Sequence, residues 1–288
     1  MSRRYPALLL LCAIACGGSE PPLVVGSKNF TEQRVLGELL AQTIEAAGMR
    51  VDRKLDLGGT FVCDAALRAG QIDVYVEYTG TALTAVLKAP PEGSAFEVLA
   101  RVREAYGKDG LEWLAPLGFE NKFALVVRPD AQARTISAAV DLAPRWRAGF
   151  GYEFKSRADG AALLERVYQL RFAEVRTMDL GLLYPALTQR EIDVAVGNST
   201  DGLIAQLGLV VLRDDRHAFP PYEAVPVARA AALDRHPTLQ ATLETLRGAV
   251  DADTMRRLNY AVDGEHRSPA DVVRAWRAER KPADAATP

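Results

Sequence analysis

The sequence is poor in the residue types on which most enzymes and metalloproteins are built. Cysteine and histidine each occur three times in 288 residues. Cys12 and Cys16 lie close to the N-terminus, which leaves Cys63 alone in the body of the chain. One thiol makes no internal disulfide, and no CxxC pair is present. Cys63 falls in a helical-looking segment and reads as a small core residue rather than a nucleophile. His217, His236 and His266 form no HExxH arrangement, which argues against a zinc hydrolase. Gly26-Ser27-Lys28 belongs to no GxxxxGK[ST] phosphate loop, and a G-x-S-x-G elbow is missing, so the common nucleotide and serine-hydrolase signatures are absent. Neither charge sign is in surplus: 35 basic residues against 37 acidic ones leave a net charge of −2. A nucleic-acid partner is therefore not expected. After the first fifteen residues no apolar run approaches the ~18 residues that a membrane-crossing helix needs. From these absences no catalytic residue, cofactor or metal ion is expected.

What is present is an exported, globular chain. At roughly 100–200 residues per domain, the length predicts two lobes, each with its own core. Arg3-Arg4 followed by the short apolar stretch from Tyr5 to Ala15 reads as a cleaved signal peptide over 1–15. Ala13 and Ala15 just before Cys16 resemble a bacterial lipobox. Cys16 is then the lipidated first residue of a tether over 16–22, with plain secretion as the alternative. The membrane is thus expected as a partner only through a lipid anchor.

The pattern along the chain is β-α-β-α-β. Leu23-Val24-Val25 is a buried strand ended by Gly26, and Val35, Leu36, Leu39, Leu40 and Ile44 recur at helical spacing until Gly48. Asn29 with Glu32 three residues later reads as a capping box for that helix. Val51, Arg53, Leu55 and Leu57 alternate as a strand. Gly58-Gly59-Thr60 opens a second helix, and Ile72-Asp73-Val74-Tyr75-Val76-Glu77 is a second buried strand. Such alternation builds a parallel sheet covered by helices.

Ala66-Leu67, Ile72-Asp73-Val74 and Tyr78-Thr79 recur as Ala186-Leu187, Ile192-Asp193-Val194 and Asn198-Ser199, each displaced by 120 positions. Helix end, strand and polar loop therefore occur twice. Ligands of open parallel sheets sit beyond the carboxyl ends of the strands, so each unit delivers its loop to such an edge. Tyr78-Thr79-Gly80-Thr81 and Asn198-Ser199-Thr200-Asp201 become facing walls of one cleft. Asp73 and Asp193 sit within strands and are assigned to structural hydrogen bonding. Two extended links, Phe123 to Pro129 and Phe219 to Pro226, read as crossings between lobes. Lobe 1 is then 23–127 with 221–288, and lobe 2 is 128–220. Beyond Ala231 the pattern is helical, with Leu243, Leu246 and Val250 on one stripe and Val272, Val273 and Trp276 on another. Tyr78 and Tyr222 lie where rings face the cleft. A cation over an aromatic face is attracted by ~0.5–2 kcal/mol, and several rings make a cage for a quaternary ammonium.

Gly26 to Gln33, Leu57-Gly58-Gly59-Thr60, Glu77 to Thr81, Gly151-Tyr152-Glu153-Phe154, Ser199-Thr200-Asp201-Gly202, Phe219 to Pro226 and Leu258-Asn259-Tyr260 resemble the substrate-binding proteins of osmoprotectant (glycine betaine, carnitine, choline) ABC transporters. The resemblance runs from about 23 to about 277 with its motifs in order. It implies an α/β, two-lobed type II periplasmic-binding-protein fold that closes on a ligand and presents it, as a monomer, to a membrane permease and its ATPase. It also implies a cage around a trimethylammonium head at Tyr78, Phe123, Asn198 and Tyr222. Thr81 matches a position that sets preference at the other end of the ligand, and Ser27, Lys28 and Asn29 match the first ligand-facing loop. Ser199 stands beside the cage position in the second wall. Phe123 keeps a ring where tyrosine is usual, whereas Asn198 replaces a ring with an amide. The expected ligand is a quaternary ammonium compound, with a betaine carrying an extra polar group, such as ergothioneine, as the alternative. A solute sensor and an enzyme on the same scaffold are the competing classes.

Overall fold

The computed structural model describes residues 21–280, so the expected signal peptide and the lipidation site Cys16 lie outside the described residues. Ten strands in the described chain form two five-stranded sheets. The first sheet holds β1 (Leu23–Gly26), β2 (Val51–Lys54), β3 (Val74–Tyr78), β4 (Leu111–Trp113) and β10 (Ala224–Arg229). The second holds β5 (Phe123–Val127), β6 (Arg147–Phe150), β7 (Glu174–Thr177), β8 (Val194–Asn198) and β9 (Val210–Val211). Their orders, β2-β1-β3-β10-β4 and β7-β6-β8-β5-β9, are the same pattern built twice. In each, the first three strands run parallel and the fourth is antiparallel to its neighbours.

The repeated register holds in three dimensions. Strands β3 and β8 begin 120 positions apart, as do the helices that precede them, Thr60–Arg68 and Leu180–Thr188. Both Asp73 and Asp193 stand just before their strand and reach across to the parallel neighbour, β1 for Asp73 and β6 for Asp193. Asp73 Oδ2 accepts from Val24 N, and Asp193 Oδ2 from Arg147 N, each at 2.9 Å. Arginines close both clamps: Arg235 and Arg229 on Asp73, Arg147 and Arg128 on Asp193. The structural role expected of these two aspartates is what the geometry displays.

Apolar spacing accounts for the layers. The helix Thr31–Ala46 buries Val35, Leu36, Leu39, Leu40 and Ile44 against the first sheet. Each such leucine or isoleucine contributes roughly 1.5–3 kcal/mol by leaving water. The helices Ala252–Asp263 and Pro269–Glu279 close over the same core through Met255, Val272 and Val273. No helix among the described residues is long and apolar enough to cross a membrane.

Two expectations are corrected. The strand Phe123–Val127, placed at the end of the first lobe, belongs to the second sheet. It pairs antiparallel with β8 from Phe123↔Asn198 to Val127↔Val194. A buried extended strand must satisfy its backbone groups in a ladder, and the partner that does so is 70 or so residues away. The crossing therefore precedes Phe123, where Leu117 N and Asn121 N donate to Ala224 O and Tyr222 O and tie the two connections together. The capping box at Asn29 does not form either. Phe30 is the N-cap, with no side-chain bond, and Glu32 turns inward to a buried network.

Candidate functional site

Between the two sheets lies a cleft of about 980 Å³, in the range of small-molecule sites. Strand ends supply its walls, as the edge rule for parallel sheets requires. Tyr78 and Asn198 are the last residues of β3 and β8, and Phe123 is the first of β5. Lys28, Asn29, Tyr78, Thr81, Phe123, Asn198 and Tyr222 all line the cleft, so seven of the nine ligand-binding expectations come together. Ser27 and Ser199 are not among the lining residues. Ser27 Oγ accepts from Asp56 N and so shapes the first loop from behind. Ser199 Oγ accepts from Lys122 N, and its carbonyl accepts from Arg256.

The aromatic part is compact. Phe123 lies edge-on to Tyr222 at 6.0 Å and to Phe154 at 4.9 Å between centroids. Tyr78 is buried, and its hydroxyl donates to Glu32 Oε1 at 2.5 Å. Burial together with that carboxylate pushes the Tyr78 hydroxyl well above its ordinary range, so it stays protonated. Cations of the protein itself lie over two of these rings: Lys28 Nζ at 5.0 Å from Tyr78 and the Arg157 guanidinium at 4.9 Å from Phe123.

Both cations are neutralised. Lys28 Nζ donates to Glu77 Oε1 at 2.5 Å and to Thr60 Oγ1 at 3.0 Å. Arg157 pairs bidentately with Asp159 at 2.9 and 2.6 Å and donates to Thr81 Oγ1 at 3.0 Å. Burial opposes the charge on Asp159, but the Arg157 pair outweighs it and holds that carboxyl below its usual range. Tyr222 joins this network by donating to Asp159 Oδ2 at 2.5 Å.

Two further carboxylates of the cleft are held differently. Glu32 is buried and accepts from Tyr78, Thr200, Asn121 and Asn259. Asp201 Oδ2 accepts from Tyr184 OH at 2.5 Å and from Asn198 N at 2.8 Å. These donors are neutral, and among the described residues no ion pair reaches either carboxylate. Burial accordingly raises both, Asp201 to about 6.

Bonds between the lobes hold the cleft together. Glu153 Oε1 accepts from Thr60 N at 2.6 Å, at the first turn of the helix Thr60–Arg68. A Cβ at residue 59 would stand 2.1 Å from that oxygen, so only glycine admits the carboxylate as placed. Thr200 on Glu32, Arg157 on Thr81 and Arg256 on Ser199 O make further bridges.

Among the lining residues that sequence reasoning did not predict are Glu32, Asn121, Glu153, Arg157 and Tyr184. Asp201 lay in a quoted motif but was not singled out. Glu32 and Glu153 also stood within matched motifs; Arg157 and Tyr184 stood in none. Cys63 is buried in the core, its thiol pushed up to about 12 by burial, as an inert packing residue would be.

The family model for the substrate-binding domain of ABC-type glycine betaine transport systems matches residues 21–279. A glycine-betaine-binding protein of Pseudomonas aeruginosa is 34% identical over 292 residues, covering 95% of this chain and 93% of its own. The ergothioneine transport permease/ergothioneine binding protein of Helicobacter pylori is 34% identical over 262 residues, 88% of this chain and 47% of that longer one. A solved structure described as a glycine betaine/carnitine/choline ABC transporter superposes with a TM-score of 0.75 at 30% identity, covering 89% of this chain and 98% of that one.

Proposed function

The chain belongs to the substrate-binding domain family of ABC-type glycine betaine transport systems, and from that premise we propose that it captures a small quaternary-ammonium compound outside the cytoplasm and hands it to a permease with its ATPase. The observation that carries the ligand class is the group of rings, Tyr78, Phe123 and Tyr222, on one cleft that buried carboxylates also line. A trimethylammonium head has no N–H to donate. It gains from aromatic faces and from a nearby negative field, and loses little when water is excluded. Arg157, Lys28 and Thr81 line the same cleft, and on this reading their polar groups accommodate a carboxylate or hydroxyl at the other end of the ligand. Closure is a hinge motion about the paired segments Leu117–Asn121 and Tyr222–Ala224, with the lobe-to-lobe bonds as the closed-state contacts.

Delivery then depends on the closed form alone being recognised, and an anchor at Cys16 would keep the receptor beside its permease. The relatives support a binding rather than a catalytic role, and a monomer suffices for the hand-over.

Calorimetric titration with glycine betaine, choline, carnitine and ergothioneine tests the reading. Tyr78→Ala is expected to weaken the bound cation at least ~10-fold, since a ring and the hydroxyl on Glu32 go together. Folded wild-type protein that binds none of these compounds sinks the proposal.

A further inference from the structure

We infer that Glu153 is the latch of the closed form: from the second lobe its carboxylate caps the helix Thr60–Arg68 of the first lobe, and so sets how long a ligand is held without choosing which ligand. This rests on the preceding reading of the chain as a receptor that closes on its ligand, and it assigns the residence of that ligand to one contact between the lobes.

The helix Thr60–Arg68 is built without a cap of its own. Its N-cap residue is Gly59, which has no side chain to accept from the free N–H groups of the first turn. The counterpart helix one repeat later, Leu180–Thr188, starts after Asp179, so the same position can carry a side chain. Gly59 has φ −78° and ψ −170°, an extended conformation open to any residue, and its backbone therefore does not demand glycine. What demands it is Glu153. The three atoms nearest to a Cβ at residue 59 all belong to that side chain, the closest at 2.1 Å. Into this space the carboxylate brings Oε1, which accepts from Thr60 N at 2.6 Å, and Oε2, which accepts from Thr60 Oγ1 at 3.2 Å.

The contact continues into the first lobe. Thr60 Oγ1 also accepts from Lys28 Nζ at 3.0 Å, and Lys28 is paired with Glu77. A chain of polar groups thus runs from the interior of the first lobe through Thr60 to Glu153, and it breaks at Thr60 when the lobes part. On its own lobe Glu153 has Arg157 at 3.6 Å, a guanidinium already held by Asp159, so the closer bonds are those across the cleft. A carboxylate at a helix start is favoured by the free N–H groups and by the helix dipole together. The Glu153 side chain is 36% exposed, which limits the gain to roughly tenfold in the closing equilibrium. A ligand's apparent affinity scales with the fraction of receptor able to close on it, so a weaker latch lowers every affinity by one common factor. The loss falls on release, because the latch forms after the ligand has entered.

Calorimetric titration and stopped-flow release with glycine betaine, choline, carnitine and ergothioneine, on wild type, Glu153→Gln and Gly59→Ser, test the latch. Glu153→Gln removes the charge. Gly59→Ser supplies a cap from within the first lobe and puts a Cβ where the carboxylate sits. Both variants are expected to weaken every ligand that wild type binds by about 10-fold, in the same order of preference and with the change in the release rate. Gly59→Ser is expected at the same time to hold or raise the thermal unfolding midpoint of the ligand-free protein, an opposition of signs that a merely structural role does not produce. It also carries the test if Glu153→Gln does not fold. Losses that reorder the ligands make Glu153 a ligand contact and overturn the inference. Wild-type release from both variants, or a loss of affinity that follows a fall in the unfolding midpoint, overturns it as well, and in each case the capture function stands. Folded wild type that binds none of the four compounds overturns both.

Discussion

The two lobes share one backbone plan and end it in opposite chemistry. Each sheet has three parallel strands, an antiparallel fourth, and an aspartate clamp before its third strand. At the cleft edge, however, β3 ends in Tyr78 beside the Lys28–Glu77 pair, whereas β8 ends in Asn198 beside the unpaired Asp201. The scaffold is thus fixed by groups at the far ends of the strands, and under the proposed function the ligand is chosen by groups at the near ends. Changes at the near ends are free to diverge because the clamps do not depend on them.

The largest expected effect tests that division on the near side. Removing one partner of a buried pair strands the other charge, at about 3–5 kcal/mol. Glu77→Gln, which leaves Lys28 with Thr60 and a neutral amide, should therefore cost about that much in urea unfolding. Asp201→Asn removes a buried carboxylate that has no cation, so stability at neutral pH should hold or rise. The sign follows from its raised value of about 6: with the folded group titrating above the unfolded one, ionisation between roughly pH 4 and 6 weakens the fold. Equal destabilisation by the two substitutions would erase the contrast between the walls.

A smaller effect belongs to the clamps. Burial works against the Asp193 carboxylate, yet the Arg147 and Arg128 bonds hold it down to about 2 from 3.8. A depressed carboxyl stabilises above its unfolded value and loses that contribution as pH falls through the folded one. Asp193→Asn should cost ~2 kcal/mol near neutrality, and the gap to wild type should narrow as pH drops from about 4 to about 2. Ligand affinity should stay within about twofold, because the clamp lies at the opposite end of the sheet; a large loss of affinity would show that scaffold and selector are not separate.

Much of this plan is visible in the amino-acid order. Short β-branched runs, the Gly stops and the recurrence of Ile-Asp-Val report local backbone preference, which survives in the folded chain as β3 and β8. The membership of Phe123–Val127 was not visible, because a strand's sheet is decided by a distant ladder partner and not by its own residues. Glu32 was misread for a related reason. A carboxylate three residues past Asn29 fits a helix cap locally, and only the assembled cleft, with Thr200 arriving from the other lobe, shows that it points inward. Arg157 and Tyr184 carry no local pattern at all; the approach of the two lobes sets Arg157 on Thr81, and packing within the second lobe sets Tyr184 on Asp201.

The finest test sets the two ends of one ladder rung against each other. Phe123 and Asn198 face across β5 and β8, and each stands where the family resemblance leads one to expect tyrosine. Phenylalanine and tyrosine present similar faces to a cation, so Phe123→Tyr changes little that a bound ammonium senses. Its ring is already fixed edge-on by Phe154 and Tyr222 and covered on one face by Arg157. The expected change in affinity for any cation ligand is under about threefold, or less than ~1 kcal/mol. Asn198→Tyr on the same rung replaces donor and acceptor by a ring and should move affinities by more than that, in opposite directions for glycine betaine and choline. Parallel titrations of the two variants decide the matter. If Phe123→Tyr reorders the ligands as strongly as Asn198→Tyr, selection resides in the missing hydroxyl at Phe123 and not in the amide at Asn198.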